Sequence, residues 1–439
     1  MRLDERGAER YDSAMGTPSG YPALLVLLAL GCGGAAAGPP AVAPEVAPAV
    51  APPSAAAGVI APEPATESEL EHASPALRAG IDAAAGYLAR VCGPDGRFVY
   101  RQHLDPAVRV PPSYNLLRHA GAIYALASYQ RQRRSPEVAA CLGRATSHLW
   151  RHIRPLEEED KTGPLAVWSV KAPSVAKLGG AGLALIALTS VASLSEESLR
   201  RAEAARIAAF IRLMQRDDGS FASKYLAGLG PDDRWTSLYY PGEAALGLVM
   251  LGGEEPLDTA RRALAFLARS RASDAHVPPD HWALIATDAL LAAGAADPGL
   301  RHRLEEHARQ IVDDMLAATG MHPAGSRLAG SFGRDGRTTP TATRLEGLIA
   351  ARRFLKSPED GVRREAMDEA IAGGIAFLLR TQTPEGAMPR VARWRTPDAD
   401  PRDGEVRIDY VQHALSAYLG YAAIEQELAS REDISPDPE

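Results

Sequence analysis

Apolar residues gather along this chain in two kinds of stretch that alternate. One kind closes on an aromatic or bulky residue followed by an aliphatic one, and the other is rich in Ala, Leu and Gly. The closing pair opens a marker. At Phe210-Ile211 it is followed by Gln215, Gly219 and Phe221, and the same offsets lead from Phe377-Leu378 to Gln382, Gly386 and Met388. They also lead from Tyr87-Leu88 to Cys92, Gly96 and Phe98. Worn copies of the pair stand at His148-Leu149, at Phe266-Leu267 with Arg271 in the Gln place, and at Met315-Leu316. Differences between positions 87, 148, 210, 266, 315 and 377 are 61, 62, 56, 49 and 62. A quasi-period of that length signals a helical repeat array.

Each marker closes one helix, and the apolar stretch after the next loop makes a second. These second stretches run 115–129, 178–194, 242–251, 282–293, 343–355 and 409–424. Several are apolar on most of their circumference, as a helix must be when others surround it. Twelve helices in six hairpins predict an all-α (α/α)6 toroid, its outer ring ending at the markers and its inner ring made of the second stretches. In the marker, the aromatic-aliphatic pair is expected to pack on a neighbouring hairpin. The Gln is expected to bond backbone at a helix end, and the Gly to take a turn that an L-residue resists.

The marker's spacing resembles the QW repeat of terpenoid cyclases, whose wider fold group includes the protein prenyltransferases; six-hairpin glycosidases share the toroidal architecture. Its final Trp is replaced here by Phe or Met. The resemblance implies a fold and leaves the chemistry open.

With 439 residues, 46% of them hydrophobic, the chain can bury a large core, and six repeats assign 76–430 to one closed unit. The 48 basic and 55 acidic residues leave a net charge of −7, which argues against a nucleic-acid partner. Residues 1–32 read as an export signal. Ala23 to Leu30 is an apolar run too short to cross a membrane and suited to a signal h-region. Leu28-Ala29-Leu30-Gly31-Cys32 resembles a bacterial lipobox, which implies lipidation of Cys32 and a periplasmic or membrane-anchored protein. The Ala- and Pro-rich segment 33–75 reads as a disordered tether, and 431–439 as a disordered tail. Nothing in the chain sets an oligomeric state.

Cys92 and Cys141 occupy different levels of two outer helices, offset by 12 residues relative to their markers. Parallel helices would then hold them roughly 18 Å apart, so free buried thiols are expected. No Cys/His ligand pair has metal spacing, and neither metal nor cofactor is expected.

In a toroid the inner helices turn one set of ends toward a central cavity, and the starts of these stretches are dense in polar residues. Glu243, Glu346 and Asp409 can serve as acid or base, while His119, His281 and His413 titrate near neutrality. Arg118, Arg344 and Arg407 can hold an anionic group. Tyr114, Tyr240, Trp282 and Tyr410 offer flat faces to a sugar ring or an apolar chain. Asp409 and His413, four apart, share a helical face and can pair. The plain alternatives are that Glu346 and Arg344 merely flank a helix start, that Tyr240-Pro241-Gly242-Glu243 merely opens one, and that each His is a satisfied core residue. Recurrence at the same place in five of six repeats favours a site.

Several signatures are absent. The Asp-x-Asp-Asp acid motif is missing, Asp398-Ala399-Asp400 lies in a charged loop, and Asp217-Asp218 and Asp232-Asp233 fall in turns. There are no lanthionine-cyclase zinc ligands, phosphate loop, Gly-x-Ser-x-Gly or dinucleotide fingerprint. The leading expectation is an exported enzyme acting on an acidic carbohydrate by hydrolysis, β-elimination or epimerisation. Hydrolysis would pair Glu243 with Glu346 or Asp409; elimination would use a His or Tyr base with Arg on the uronate. The alternatives are a cyclase-like protein binding an isoprenoid or other lipid, and a non-catalytic surface platform.

Overall fold

The computed structural model describes residues 67–194, 200–392, 400–425 and 427–428. The expected leader with Cys32, the tether as far as residue 66, Asp398-Ala399 and the tail over 431–439 lie outside those residues. The last part of the expected tether is helical instead: α1 (Glu67–His72) buries Leu70 and, just beyond, Ala73, so apolar contact orders it.

Six outer helices follow the period: α2 (Pro75–Arg90), α4 (Pro136–Trp150), α6 (Arg201–Leu213), α8 (Glu254–Arg271), α10 (Pro298–Leu316) and α12 (Gly361–Thr381). Six inner ones alternate with them: α3 (Leu116–Gln132), α5 (Leu178–Ala192), α7 (Tyr240–Leu251), α9 (His281–Ala292), α11 (Thr338–Phe354) and α13 (Ile408–Ala422). Each inner helix packs on the next, and α13 returns to α3. The chain is an all-α (α/α)6 toroid. No helix among the described residues is long and apolar enough to cross a membrane.

Local chemistry explains the alternation. Three outer helices begin with a capping side chain followed by Pro: Ser74 accepts from the Leu77 N–H, Ser135 from Val138 and Asp297 from Leu300. Inner helices are enclosed. Helix α5 is buried at every position from Leu178 to Ser190. A Cβ on Gly182 would stand 2.6 Å from the Glu243 backbone, and one on Gly247 2.6 Å from the Gly182 carbonyl oxygen. Glycine therefore lets α5 and α7 touch backbone to backbone.

The marker joins neighbouring hairpins. Gly96, Gly219 and Gly386 have φ of +83°, +93° and +85°. A Cβ on them would meet the carbonyl oxygens of Arg144, Arg262 and Ala83 at 2.1, 2.4 and 1.8 Å, each in the next outer helix round the ring. The Gln bonds across as well: Gln215 Nε2 donates to the Gly219 carbonyl in the turn after its own helix at 3.3 Å and to the Thr259 carbonyl at 2.9 Å, and Gln382 Nε2 donates to that of Gly80 at 3.0 Å. The last hairpin thereby closes on the first.

The same swing of the loop corrects the expected cysteine separation. Cys92 leaves its helix and turns onto the middle of α4, where its Sγ lies 3.7 Å from the Cys141 carbonyl oxygen. Both thiols are free and buried, as expected.

Long loops lead from outer to inner helices, as at 91–115, 151–177, 214–239 and 382–407, whereas returns such as 133–135 and 252–253 are short. The long loops carry short strands: β1 (Arg101–His103), β2 (Ile153–Pro155), β3 (Leu165–Val167), β4 (Val175–Lys177), β5 (Lys224–Leu226), β6 (Gly230–Asp232) and β7 (Glu405–Arg407). β2 pairs with β3 and β4-β5-β6 form a sheet, while β1 pairs antiparallel with β7, Arg101 opposite Arg407. The first loop is thus tied to the residues that open α13, on the face where the inner helices begin.

Candidate active site

Glu346, about two turns into α11, and His413, one turn beyond Asp409 on α13, meet between their helices. His413 Nδ1 and Glu346 Oε2 are 2.7 Å apart. His281 opens α9 and approaches the same oxygen, its Nε2 at 4.0 Å. The two imidazole rings stand 5.6 Å apart, edge to face. His281 is placed by its neighbour: Asp280 accepts from the Ala283 N–H at 3.1 Å and pairs with Arg271 at 3.0 Å, fixing the start of α9.

All three are buried, and burial sets their protonation. Desolvation drives His281 well below the ordinary imidazole range, and the His413, Arg118 and Arg344 charges push the same way. It is therefore neutral at pH 7. Neither of its ring nitrogens has a hydrogen-bond partner among the described residues. Burial also raises the Glu346 carboxyl, opposed by its contact with His413.

Asp409 is already committed. Arg407 reaches its two oxygens at 2.9 and 2.5 Å, and Arg118 lies 3.4 Å from it. Burial alone would raise its carboxyl, but the two arginines overcome this and hold it well below the carboxylate range. His413 accordingly takes its carboxylate partner from α11 rather than from Asp409, the partner expected on its own helical face. Arg407 also lies over the Tyr410 ring, 4.7 Å from its centroid.

Glu243, on the first turn of α7, is 2% exposed, and its Oε2 has no hydrogen-bond partner among the described residues. Gly179 leaves the space it fills, since a Cβ there would stand 2.1 Å from that oxygen. Desolvation raises this carboxyl to about 8; Arg118 and Lys177 oppose the shift and Asp280 adds to it.

Of the aromatic residues expected here, Trp282 keeps its ring 5.2 Å from His281. Tyr240 turns to Trp235, 5.7 Å away, and its neighbour Tyr239 meets His281 at 5.3 Å. A helix start places adjacent side chains a third of a turn apart, so the sequence marks the pair but not which member faces inward. Arg344, two residues before Glu346, donates to the Pro340 carbonyl at 3.3 Å.

Two expected residues stand elsewhere. His119 Nε2 lies 2.9 Å from the Ala145 carbonyl of α4 and its Nδ1 2.7 Å from the Tyr114 hydroxyl, within an aromatic cluster with Phe98 and His148. Both face the outer ring. Arg118 and His119 are consecutive on α3, and only one of two such neighbours can turn toward the centre.

His281, Glu346 and His413 offer ligand atoms within 4.8 Å of one another, a spacing able to hold a divalent cation. Chain spacing conceals this set because each member comes from a different inner helix.

No family model matches this chain, and no curated protein matches its sequence. Solved structures resemble its fold. A sugar epimerase from a ruminal bacterium superposes with a TM-score of 0.57 at 13% identity, covering 81% of this chain and 98% of its own. A D-mannose isomerase gives 0.55 at 13% over 81% and 98%, and an α-1,6-mannanase from Salegentibacter sp. gives 0.53 at 12% over 78% and 98%. These neighbours belong to the α/α-toroid, six-hairpin glycosidase-like superfamily. At such identities the likeness establishes architecture.

Proposed function

We propose that this protein is a carbohydrate-active enzyme whose central site moves a proton at the carbon beside a sugar carbonyl, making it a 2-epimerase or an aldose-ketose isomerase. The observation that carries this reading is the His281 and His413 pair, two buried imidazoles 5.6 Å apart that flank one carboxylate. Glu346 accepts the Nδ1–H of His413 and leaves Nε2 with a free lone pair, the arrangement of an oriented general base. That nitrogen takes the proton from C2 of the open-chain sugar. The C–H pair then becomes the C1–C2 double bond, and the carbonyl oxygen takes up charge or a proton. Return of a proton to C2 from His281 Nδ1 on the other face, as His281 Nε2 takes the proton that His413 passes on through Glu346, inverts that centre; return to C1 gives the ketose. Glu346 faces both rings and stabilises whichever imidazolium forms.

Two of the fold neighbours, the epimerase and the isomerase, carry out chemistry of this class. The mannanase differs: a variant with two successive aspartates replaced is inactive. Here the successive aspartates Asp217-Asp218 and Asp232-Asp233 stand in the segment between α6 and α7, and Asp313-Asp314 stand on the outer helix α10, where Asp313 pairs with Arg363 and Asp314 with His276. Hydrolysis through Asp409 is disfavoured because Arg407 occupies both of its oxygens. The same pairing removes much of the argument for an acidic sugar and supports a neutral one. A purely structural role would leave the polar residues mutually satisfied, and His281 and Glu243 Oε2 are not.

The test is solvent exchange. In D2O, with mannose, glucose, fructose and β-linked disaccharides, NMR should show deuterium entering C2 as epimer or ketose accumulates. Absence of exchange across that panel, or release of reducing ends from mannan without exchange, overturns the reading.

A further inference from the structure

Proton transfer at carbon needs a partner at oxygen. When C2 loses its proton, the electron pair delocalises onto the carbonyl oxygen, and a donor placed there lowers the barrier. The histidines already handle the carbon-bound proton. Asp409 is a fixed anion and can only accept, while Arg407 is spent on it.

Glu243 remains. It stands on α7, between the glycine-lined flank of α5 and the start of α9. Its Oε2 is buried without a partner, which costs free energy unless a bound molecule supplies one. Gly179 on α5 is cut back to accommodate it, and a side chain there would collide with the carboxyl. The charged and titratable groups around it are Arg118 from α3, Lys177 from β4, and Asp280 before α9, with Tyr240 on its own helix. We propose that Glu243 is the acid of the site, a neutral carboxyl that gives its proton to the carbonyl oxygen of an open-chain reducing sugar. This rests on the proton-transfer reading above.

The step balances. A histidine nitrogen gains the C2 proton, the C2–H pair forms the C1–C2 double bond, and the C1–O π pair takes the proton of Glu243 Oε2. The result is a neutral enediol, a carboxylate and an imidazolium. Collapse of the enediol returns a proton to carbon and one to Glu243, with no oxidant or co-reactant consumed. Only the protonated carboxyl can begin the cycle. Its raised value of about 8 keeps that form dominant at neutral pH, and activity should fall as the proton is lost.

The experiment compares wild type, E243Q and E243A from pH 6 to 10, by the rate of C2 deuterium exchange and by carboxyl NMR of protein labelled at Glu Cδ. Wild-type kcat/KM should decline above about pH 8 with loss of one proton. E243Q, whose amide can hydrogen-bond the oxygen but cannot transfer a proton, should lose that limb and fall by about 100-fold, and E243A should fall by more. The NMR should show one carboxyl titrating in the same range in wild type and missing from E243Q. If wild type exchanges and E243Q keeps the alkaline limb, or E243A stays active, Glu243 is not the acid and the histidine reading stands. If wild type exchanges nothing, the histidine reading falls and takes this role with it.

Discussion

His413 Nδ1 stands 2.7 Å from Glu346 Oε2 across the seam between the fifth and sixth inner helices. The contact fixes the ring's tautomer and supplies the counter-charge for a protonated imidazole. Replacing Glu346 with Gln keeps the shape and removes the charge. E346Q should lower kcat for C2 exchange by about 10²- to 10⁴-fold with KM little changed. H413N should do the same. A loss confined to KM, or under tenfold in kcat, would place the pair in binding rather than in proton transfer.

The fold was legible because its period is carried by residues with local tasks. Gly219 and Gly386 must adopt positive φ, Gln215 and Gln382 must span to the next hairpin, and the second stretches must be apolar throughout. Each task selects a residue type, and selection repeated at one spacing is visible in a single sequence. The site was legible as a place rather than as a set of pairs. Glu243, His281, Glu346 and His413 were visible at the expected inner-helix starts, although α11 begins five residues earlier than expected, and the bond between Glu346 and His413 crosses 67 residues and depends on how two helices are rotated. Rotation also separates Arg118 from His119 and Tyr239 from Tyr240. The contact of Cys92 with Cys141 escaped for a related reason, since it depends on the path of a loop and not on helix level.

Acid should destabilise the protein from about pH 6 downward. Burial lowers His119 to about 3, His148 to about 4 and His307 to about 3, from 6.5. The unfolded chain takes up protons near 6.5 while the folded chain does not, so stability present above that pH is lost as pH falls toward 4. Each group contributes at most about 1.4 kcal/mol per pH unit in this window. Urea midpoints at pH 7, 5.5 and 4.5 should decline in that order, and H119Q should flatten the slope if it folds. An unchanged midpoint between pH 7 and 5 would show that these imidazoles protonate without cost.

Ring closure rests on Gln382 and Gly386. Q382A removes the bond to the Gly80 carbonyl and should cost about 1 kcal/mol. G386A is worse, because the residue has φ +85° and its Cβ would stand 1.8 Å from the backbone oxygen of Ala83. Gly228 supplies the control: it has φ +73° with nothing within 4 Å of a Cβ. G228A should therefore show the conformational cost alone, about 1–2 kcal/mol, and G386A distinctly more. Equal losses in denaturant titrations would mean that the marker glycine is kept for its backbone angle and not for the contact with the first hairpin.

Asp360 ties the fifth and sixth hairpins together. Its carboxylate is fully buried and accepts from Arg309 Nε and Nη2 at 2.9 and 3.0 Å and from Arg363 Nη1 at 2.8 Å. Hydrogen bonds from Arg309 lead in lowering its pKa, so its contribution holds at neutral pH and is lost as pH falls through the folded value. D360A leaves Arg309, only 8% exposed, facing the gap with Glu306 and Glu359 as its remaining partners. Breaking one side of a buried pair should cost about 3–5 kcal/mol, whereas replacing both, as in D360L with R309M, should recover much of it. A double variant no more stable than D360A would mean that Arg363 or the backbone around Asp360, and not the lost pairing with Arg309, carries the penalty.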